Sequence, residues 1–411
     1  MKYRNRHIEA KLQEYSKFFK TILVVGARQA GKSSILTHAF PSFQSFVFDA
    51  VQDQYGIRQD PDLFLNNFPA PIILDEIQHV PELLSAIKRK VDKSDRAGQY
   101  FMTGSQNLNA LRQVSESLAG RVGVLHLDGM TPAEMSGNGT KPIWLSRYLE
   151  NPETFFQDFT TVPQKQIAIA RHLWRGSFPG LLDAPDSIIP AFMRSYVETY
   201  VERDVRVIGN INDLTDFGRF MRLASALSSC ETNYSQLGRE IGIAPKTARH
   251  WLNTLIHSYQ WFELPPYHGN TIKRISKKPK GHMRDTGLMC HLMGISSPTA
   301  LAGHPSFGNI FESWAVCWIA RMAEAMQAPP QFYHWRTNGG AEVDLVLERD
   351  GFLYPIEIKC KTNLNAHDTR GILAFQETYG KDRVKTGIII YAGDCIRRVS
   401  DCAFCLPWNK L

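Results

Sequence analysis

The sequence predicts an α/β protein that begins with a parallel β-sheet and continues through a helical middle into a second α/β region. Three observations support this fold class. Short apolar runs alternate with helical patterns up to about residue 165, which is typical of a parallel sheet with helices on both faces. Residues 166–230 then turn helical, with apolar residues at three- and four-residue spacing. Beyond residue 298, strands of alternating polar and apolar residues return.

The first predicted strand leads into a glycine-rich pattern, G-x-x-x-x-G-K-[ST], that is typical of a phosphate-binding loop. Such a loop points main-chain N–H groups at phosphates, and the N-terminus of the next helix adds partial positive charge. We expect Lys32 to reach the β and γ phosphates and Ser33 to ligand Mg²⁺. The residues expected to hold a nucleoside triphosphate are Gly26, Ala27, Arg28, Gln29, Ala30, Gly31, Lys32, Ser33 and Ser34. The five strands predicted for this region are Ile22–Val25, Phe46–Phe48, Ile72–Leu74, Tyr100–Met102 and Val122–Leu127.

Two carboxylates end the third predicted strand, at the edge of the sheet where ligands collect. Asp75 is expected to hold Mg²⁺ through water, and Glu76 to orient or deprotonate an attacking water. With Lys32, they are the predicted catalytic residues of a nucleotide hydrolase. After the fourth strand, Ser105 or Gln106 either contacts the γ phosphate or caps the helix that follows.

Composition limits the class of protein. The 411 residues are 43% hydrophobic and 21% charged, as in ordinary globular proteins. No apolar run approaches the roughly 20 residues of a membrane span, and residues 1–15 lack the apolar core of a signal peptide. The seven cysteines are irregularly spaced, which favours reduced thiols over a disulfide framework. We therefore expect a cytoplasmic protein without a membrane partner.

Basic residues concentrate in one segment. Between Arg239 and Asp285 there are nine Lys and Arg residues and three acidic residues. The pattern predicts a helix at Tyr234–Ile241, a second helix at Pro245–Ser258, and a β-hairpin wing before Lys280. A winged helix-turn-helix with this charge is typical of nucleic-acid binding, and DNA is the expected partner. The residues expected to contact it are Lys246, Arg249, Lys273, Arg274, Lys277 and Lys278. A winged helix that only packs against protein remains the alternative.

A second constellation of polar residues lies near the C-terminus. Alternation places Asp344 on one strand and Glu357 with Lys359 on the next, while Glu312 interrupts an apolar helix. Carboxylate oxygens suit Mg²⁺ or Mn²⁺, so Asp344 and Glu357 are candidate metal ligands. All four residues are candidate catalytic residues of a nuclease. The alternative is a solvated strand face with an ordinary surface ion pair.

The chain resembles a large bacterial and archaeal family of AAA-type P-loop ATPases, related to archaeal ATPases, with an uncharacterised C-terminal domain. The motifs that carry the resemblance are Gly26–Ser33, Leu74–Gln78, Thr103–Ser105, Leu118–Val122, Tyr200–Val205, Arg284–Leu288 and the Glu312, Asp344, Glu357 and Lys359 set. The resemblance implies ATP and Mg²⁺ as ligands and a C-terminal domain similar to the PD-(D/E)xK restriction-endonuclease-like fold. It also implies an arginine that acts on the γ phosphate, Arg121 or Arg203, within one chain or from a neighbouring subunit of a homo-oligomer.

These expectations divide the chain into four parts: an AAA-type ATPase domain at 1–165, a helical connector at 166–230, a winged helix at 231–297 and a nuclease-like domain at 298–411. The leading hypothesis is a Mg²⁺-dependent ATPase coupled to nucleic-acid binding, with metal-dependent nuclease activity at the C-terminus as an additional option. One alternative is an ATP-dependent regulatory scaffold whose nuclease-like domain is inactive. The other is a non-enzymatic DNA-binding module with a structural nucleotide.

Overall fold

Three β-sheets organise the chain. The computed structural model describes residues 3–49, 51–53, 55–104, 118–157, 169–200, 211, 213–269 and 278–409. Sheet one has five strands, sheet two has three and sheet three has six, and they follow one another along the chain. No helix within these described ranges combines the length and the apolar character needed to cross a membrane.

The first sheet is parallel throughout and has the strand order β2-β3-β4-β1-β5. Its strands are β1 Thr21–Val25, β2 Gln44–Val47, β3 Ile72–Asp75, β4 Tyr100–Gly104 and β5 Val122–His126. The helices of this part are α1 Glu9–Phe18, α2 Lys32–Ala39, α3 Pro61–Asn67 and α4 Glu82–Asp92. The predicted parallel sheet is thus confirmed. Strand β1 lies between β4 and β5, is buried at every residue, and delivers the glycine-rich loop to the carboxyl edge of the sheet.

The middle of the chain is mostly helical. Its first helices are α5 Pro132–Met135, α6 Trp144–Glu150, α7 Pro152–Gln157, α8 Ile169–Arg175, α9 Ile189–Tyr200 and α10 Leu214–Ala226. They are followed by β6 Cys230–Glu231, α11 Tyr234–Ile241, α12 Pro245–His257, β7 Trp261–Leu264, β8 Lys280–Met283, α13 Thr286–Leu292 and α14 Pro298–Ala302.

Helices α11 and α12, called the helix pair below, form where the sequence predicts them. Gly242 ends α11 with a positive φ of 82°, which glycine adopts without strain. Pro245 starts α12 at a position where its missing N–H is not needed. The second sheet, in the order β6-β8-β7, packs beside the pair and is antiparallel.

The C-terminal region combines a long helix with a mixed sheet. Helix α15 Phe307–Glu324 precedes β9 Gln331–Arg336, β10 Glu342–Arg349 and β11 Phe352–Lys359. Then come α16 Arg370–Tyr379, β12 Gly387–Tyr391, β13 Arg397–Ser400 and β14 Ala403–Pro407. The strand order is β13-β14-β12-β11-β10-β9, with β9, β10 and β11 antiparallel and β11, β12 and β14 parallel. Asp344 and Glu357 therefore lie on neighbouring strands.

The hydrophobic side chains form two large cores. One fills the parallel sheet and its helices. The other includes buried side chains from Trp144 to Trp408 and joins the helical middle, the helix pair and the C-terminal sheet. Helix α6 belongs to this second core, since the Tyr148 hydroxyl donates to the carbonyl of Thr386 at 2.9 Å. The helix pair and the C-terminal sheet are consequently held in one fixed relation.

A short motif after β8 joins the two cores. The guanidinium of Arg284 donates to the carboxylate of Asp128, which follows β5, at 2.8 Å. The next residue, Asp285, accepts hydrogen bonds from both the N–H and the hydroxyl of Ser177, each at 2.7 Å. The guanidiniums of Arg284 and Arg321 together hold the pKa of buried Asp128 below its usual value, although burial alone would raise it. Charges of this kind are costly to bury without partners, so the motif fixes how the N-terminal sheet meets the rest.

Candidate nucleotide site and C-terminal carboxylate cluster

The glycine-rich loop turns sharply between β1 and α2. Gly26 passes very close to Leu127, the residue after the neighbouring strand β5. A Cβ at Gly26 would lie 1.8 Å from the carbonyl oxygen of Leu127. Gly31 has a φ of 92° and caps α2, which begins at Lys32. The loop therefore brings the positive N-terminal end of a helix to the carboxyl edge of the sheet, which is the geometry that binds phosphate.

Lys32 lies inside this loop. Its side chain is buried, and the ammonium donates to the carbonyl of Gly26 at 3.1 Å and to that of Ala27 at 2.9 Å. Both of these acceptors are neutral main-chain oxygens. An anion that enters the loop offers the ammonium a stronger, charge-assisted hydrogen bond, so Lys32 is placed to exchange a carbonyl for a phosphate oxygen.

Ser33 and two carboxylates form the second half of the site. The Ser33 hydroxyl donates to Oδ1 of Asp75 at 2.8 Å, across the gap between α2 and β3. The Thr103 hydroxyl, near the end of β4, also donates to Oδ1 of Asp75 and accepts from the N–H of Glu76 at 3.0 Å. Glu76 has a φ of 59°, a left-handed conformation that is uncommon outside glycine. The sheet thus brings together Ser33, Asp75 and Glu76 as predicted, and Thr103 holds the two acidic residues in place.

Two adjoining cavities open over the loop. One, of about 600 Å³, is lined by Arg28, Lys32, Ser33 and Glu76 and, on its far side, by residues of α9. The other, of about 380 Å³, lies over the side of α2 and contains the stacked rings of Tyr3 and His38, whose centroids are 3.8 Å apart. Gly31, Ser34 and Pro179 line both cavities. One cavity faces the phosphate-binding residues, and the second offers an aromatic surface beside them.

The N-terminal segment and the helical middle contribute residues that the sequence analysis did not single out. Arg6 is buried, and its guanidinium donates to the carbonyls of Ala30 at 3.0 Å and Asp128 at 2.7 Å while it pairs with Glu134 at 3.2 Å. Its contact with Ala30 braces the glycine-rich loop. Across the 600 Å³ cavity, α9 supplies Phe192 and Tyr196. Arg6, Phe192 and Tyr196 belong to no recognisable motif. The sequence offered no signal for them beyond their residue types.

The arginine candidates are not placed beside the loop of their own chain. Arg121 precedes β5, and its carbonyl accepts from the N–H of Thr21, the first residue of β1. It therefore lies at the edge of the sheet opposite to the loop, where it pairs with Asp92. A role for Arg121 on the phosphates of its own chain is wrong for this reason; a role in a neighbouring subunit stays a prediction. Arg203, Ser105 and Gln106 lie outside the described residues.

The exposed face of the helix pair carries part of the predicted nucleic-acid surface. Lys246 and Arg249 are exposed on α12, and Lys278 is exposed before β8. Arg249 also lies over the ring of Tyr234, 5.8 Å from its centroid. The wing residues Lys273, Arg274 and Lys277 lie outside the described residues.

Two of the nine basic residues counted in this segment do not belong to its surface. Lys280 and Arg284 bracket β8, and both are engaged in internal ion pairs, Lys280 with carboxylates of the C-terminal region and Arg284 with Asp128. The count of basic residues therefore overstated the positive surface. Both side chains instead tie β8 to other parts of the molecule.

The four C-terminal candidates do converge. The ammonium of Lys359 lies 2.9 Å from Oε2 of Glu357 and 3.8 Å from Oδ2 of Asp344. Helix α15 brings Glu312 to the same cluster, where its Oε1 lies 2.6 Å from the ammonium of Lys280. Lys280 also reaches Oδ1 of Asp344 at 3.4 Å. The predicted set is confirmed as a cluster, and it contains a second lysine, Lys280, that the sequence analysis counted only as part of the basic segment.

Burial and charge distribute the protons of this cluster unevenly. Burial and the neighbouring Asp344 raise the pKa of Glu312 to about 8 and raise that of Glu357 well above its usual value. Burial opposes the charge of Asp344 as well, but the ammoniums of Lys280 and Lys359 hold its pKa at about 2. The two ammoniums therefore favour the ionised form of Asp344, whereas burial favours the protonated forms of Glu312 and Glu357.

The residues do not fit the predicted metal site. Among the residues that the structure describes, no group of three or more His, Cys, Asp or Glu side chains is arranged to hold a metal ion. The two oxygens of Asp344 already have partners, since Oδ1 faces Lys280 and Oδ2 accepts from the N–H of Ile358 at 2.9 Å. The expectation of Asp344 and Glu357 as ligands of Mg²⁺ or Mn²⁺ is not supported.

Three family models match this chain. Residues 19–136 match an AAA domain, residues 166–299 match a domain of unknown function (DUF8612), and residues 307–411 match another (DUF4143). The N-terminal part is an AAA-type P-loop domain. The match covers the glycine-rich loop, Asp75 and Glu76, so the geometry of the loop and the family model agree.

Two mycobacterial proteins are similar to this chain over most of its length. "Uncharacterized protein Rv2008c" of Mycobacterium tuberculosis and "Uncharacterized protein Mb2031c" of Mycobacterium bovis are each 29% identical over 340 residues, which are 82% of this chain and 70% of theirs. Among solved structures, a Walker-type ATPase of Pyrococcus abyssi has a TM-score of 0.43 at 14% identity, covering 71% of this chain and 98% of its own. The RuvB Holliday junction branch migration motor of Thermotoga maritima has a TM-score of 0.31 at 14% identity, covering 63% and 89%. Likenesses this distant do not extend to function.

Proposed function

We propose that this protein binds ATP with Mg²⁺, hydrolyses it, and uses the nucleotide state to control nucleic-acid binding by its middle region. The observation that carries the ATPase proposal is the convergence of Lys32, Ser33 and Asp75 at one helix N-terminus. The Ser33 hydroxyl and Asp75 carboxylate are 2.8 Å apart, so two oxygen donors of the kind that Mg²⁺ prefers already meet beside the phosphate loop. These residues fit the metal.

Each residue of the site has a distinct role in this proposal. The N–H groups of the loop from Gly26 to Ser34 cradle the phosphates, and Lys32 contacts their outer oxygens. Ser33 and, through water, Asp75 would hold Mg²⁺, which offsets the charge of the β and γ phosphates. Glu76 orients or deprotonates the attacking water, and its main chain is fixed by Thr103.

The far wall of the nucleotide cavity supports coupling to the rest of the chain. That wall is formed by Pro179, Phe192 and Tyr196 of the helical middle, which belongs to the second core. A nucleotide in the cavity therefore touches both cores. Tyr196 also accepts a hydrogen bond from Gln260 at 3.0 Å, and Gln260 lies between the helix pair and β7. Contacts with the γ phosphate can thus bias the position of the helix pair.

The order of elements supports a winged helix as the nucleic-acid module. Helix α10, β6, α11, α12, β7 and β8 follow one another, and the strands form one antiparallel sheet. In such folds the second helix of the pair enters the major groove. Lys246 and Arg249 lie on the exposed side of α12 and would contact DNA there, and Lys278 would act at the base of the wing. The division of the chain into four parts belongs to the same proposal. So does a cytoplasmic location, which is favoured by seven cysteines that form no disulfide framework.

The ATPase proposal is tested with Lys32→Ala. We expect hydrolysis to fall by at least a hundredfold and ATP binding by calorimetry to weaken strongly, since the ammonium contacts the phosphates directly. Lys17→Ala removes an exposed lysine of α1 and serves as the matched control, with activity unchanged. Undiminished hydrolysis by purified Lys32→Ala protein would refute the assignment.

Nucleic-acid binding is tested by charge reversal. The double variant Lys246→Glu and Arg249→Glu should weaken DNA binding and make its salt dependence less steep, by about one unit of slope for each phosphate that the protein no longer neutralises. Arg239→Glu, on the exposed side of α11 next to Glu240, is the control and should leave the slope unchanged. An unaltered slope in the double variant excludes α12 as the contact surface.

A second candidate function is a regulatory ATP switch whose C-terminal domain docks instead of cutting. The ion pairs between Lys280 and the carboxylates favour it, because they bind that domain to β8. Assays for nicking of DNA or RNA with Mn²⁺ or Mg²⁺ distinguish docking from cutting by this domain. Cleavage that disappears in Glu357→Ala supports a nuclease, whereas its absence in the wild type on several substrates supports the switch.

A further inference from the structure

A buried lysine from outside the C-terminal domain fills the middle of the carboxylate cluster. Lys280 begins β8, the central strand of the three-stranded sheet, and its side chain is 6% exposed. Its ammonium lies 2.6 Å from Glu312, 2.8 Å from Glu342 and 3.4 Å from Asp344. The three carboxylates belong to α15 and β10, so one ammonium bridges the middle region to two elements of the C-terminal domain.

The position on which these carboxylates converge is occupied by the Lys280 ammonium itself. Its contacts with Glu312 and Glu342 are close to the length of charge-assisted N–H···O hydrogen bonds, about 2.7–2.9 Å. Asp344 has its two oxygens directed at two different lysines, Lys280 and Lys359. The cluster is thus organised around ammonium groups.

Burial and charge act in opposite directions on the groups of this cluster. Burial and the nearby charge of Asp344 raise the pKa values of Glu312 and Glu357. Burial opposes the charge of Lys280, but the neighbouring carboxylates, Asp344 first, hold its pKa above the usual value. The ammoniums of Lys280 and Lys359 thus share Asp344, and Lys280 also lies 2.8 Å from Glu342 at the rim.

We propose that Lys280 takes the place of a divalent metal in this cluster, which serves as an ionic clamp between β8 and the C-terminal domain. The contact continues beside it, where the Ser313 hydroxyl of α15 lies 2.8 Å from the Ser228 hydroxyl. That Ser228 hydroxyl in turn accepts from the N–H of Met283, the last residue of β8, at 2.8 Å. Strand β8 is therefore fastened to the C-terminal domain at both of its ends. This inference does not depend on ATP hydrolysis or on nucleic-acid binding.

Metal titration of the wild-type protein tests the substitution without any variant at Lys280. Nucleotide-free protein is titrated with Mn²⁺ and followed by electron paramagnetic resonance, beside Asp344→Asn. We expect the two proteins to show the same Mn²⁺ binding, because the Asp344 oxygens are already engaged. A site in the wild type that is lost in Asp344→Asn would overturn the proposal, since the carboxylates would then hold a metal despite Lys280.

A pair of lysine variants tests the clamp. Lys280→Met should lower the thermal midpoint by several degrees, because it removes the ammonium that bridges Glu342 and Asp344 and leaves Asp344 with Lys359 alone among the described lysines of the cluster. Adding Asp344→Asn to Lys280→Met should restore part of that loss, which a simple packing defect would not do. Lys278→Met, two residues away and exposed, is the matched control and should leave the midpoint unchanged. A Lys280→Met midpoint equal to that of the control would overturn the clamp, and if Lys280→Met does not fold, the Mn²⁺ titration decides.

Discussion

Two lysines reach into two polar sites of this protein, and their partners differ in kind. Lys32 donates to main-chain carbonyls of its own loop, whereas Lys280 is paired with carboxylates from two other elements. A neutral carbonyl is a weaker partner than a phosphate, so the first ammonium gains when an anion arrives. A carboxylate is already a strong partner, so the second ammonium has nothing to gain from exchange.

The comparison teaches how a site for a ligand differs from a site that the chain has completed itself. The nucleotide site has a cavity of about 600 Å³ beside its cation, and its groups come from strand ends that meet at one edge of the sheet. The C-terminal cluster has its cation supplied by β8. Both sites place a lysine among oxygens, and the charge of those oxygens separates a binding site from a structural joint.

The largest effect is expected at the nucleotide site, for Glu76→Gln. Hydrolysis should fall by about 10²–10⁴, because the amide no longer takes a proton from the attacking water. ATP binding should change little, since the role proposed for Glu76 is on the attacking water and not on the phosphates. Glu82→Gln, an exposed residue at the start of α4, is the control for the same chemical change. Turnover that survives Glu76→Gln would require another base and remove the catalytic assignment.

Exchanging each lysine for methionine turns the comparison into a stability measurement. Lys280→Met leaves buried carboxylates without their cation and should cost about 3–5 kcal/mol. Lys32→Met removes, among its other contacts, two hydrogen bonds to neutral main-chain carbonyls, each worth about 1 kcal/mol. Urea unfolding of both variants against the wild type provides the two numbers. Equal losses would mean that the two ammoniums contribute alike and that the charge of their partners does not separate the two sites.

The sequence predicted the nucleotide site because its parts are local. The glycine pattern with Lys32 and the two acids that end β3 are each recognisable within a few residues of sequence. Parallel strands then bring their carboxyl ends to one edge of the sheet. The helix pair is equally local, with Gly242 and Pro245 marking where α11 ends and α12 begins. In these cases the backbone alone determines where the side chains meet.

The partner of the C-terminal cluster could not be predicted in the same way. Lys280 follows several other basic residues in the sequence, and its carboxylate partner Asp344 is 64 residues further along the chain. The sequence analysis expected a metal there because carboxylate oxygens suit Mg²⁺ or Mn²⁺. Only tertiary packing, through α15 and β8, shows that a lysine supplies the cation. Arg6, which braces the glycine-rich loop from a distance of 24 residues, was missed for the same reason.

The smallest effect concerns the pH dependence of stability and separates the two sites once more. The pKa of Glu312 is raised to about 8 by burial and by Asp344, whereas the unfolded chain releases this proton near pH 4.3. The folded state therefore binds one proton more between about pH 4.3 and 8. The stability from this group is complete below that window and is lost as the pH rises to 8, by at most about 1.4 kcal/mol per pH unit.

Glu312→Gln should remove this slope, because its amide does not titrate. Between pH 6 and 8 the wild type should lose about 2 kcal/mol relative to the variant, as measured by urea unfolding at each pH. Glu240→Gln, exposed on α11, should follow the wild-type curve. Parallel curves for wild type and Glu312→Gln would contradict the prediction. They would show that Glu312 is already ionised in the folded protein and that its negative charge lies beside Lys280.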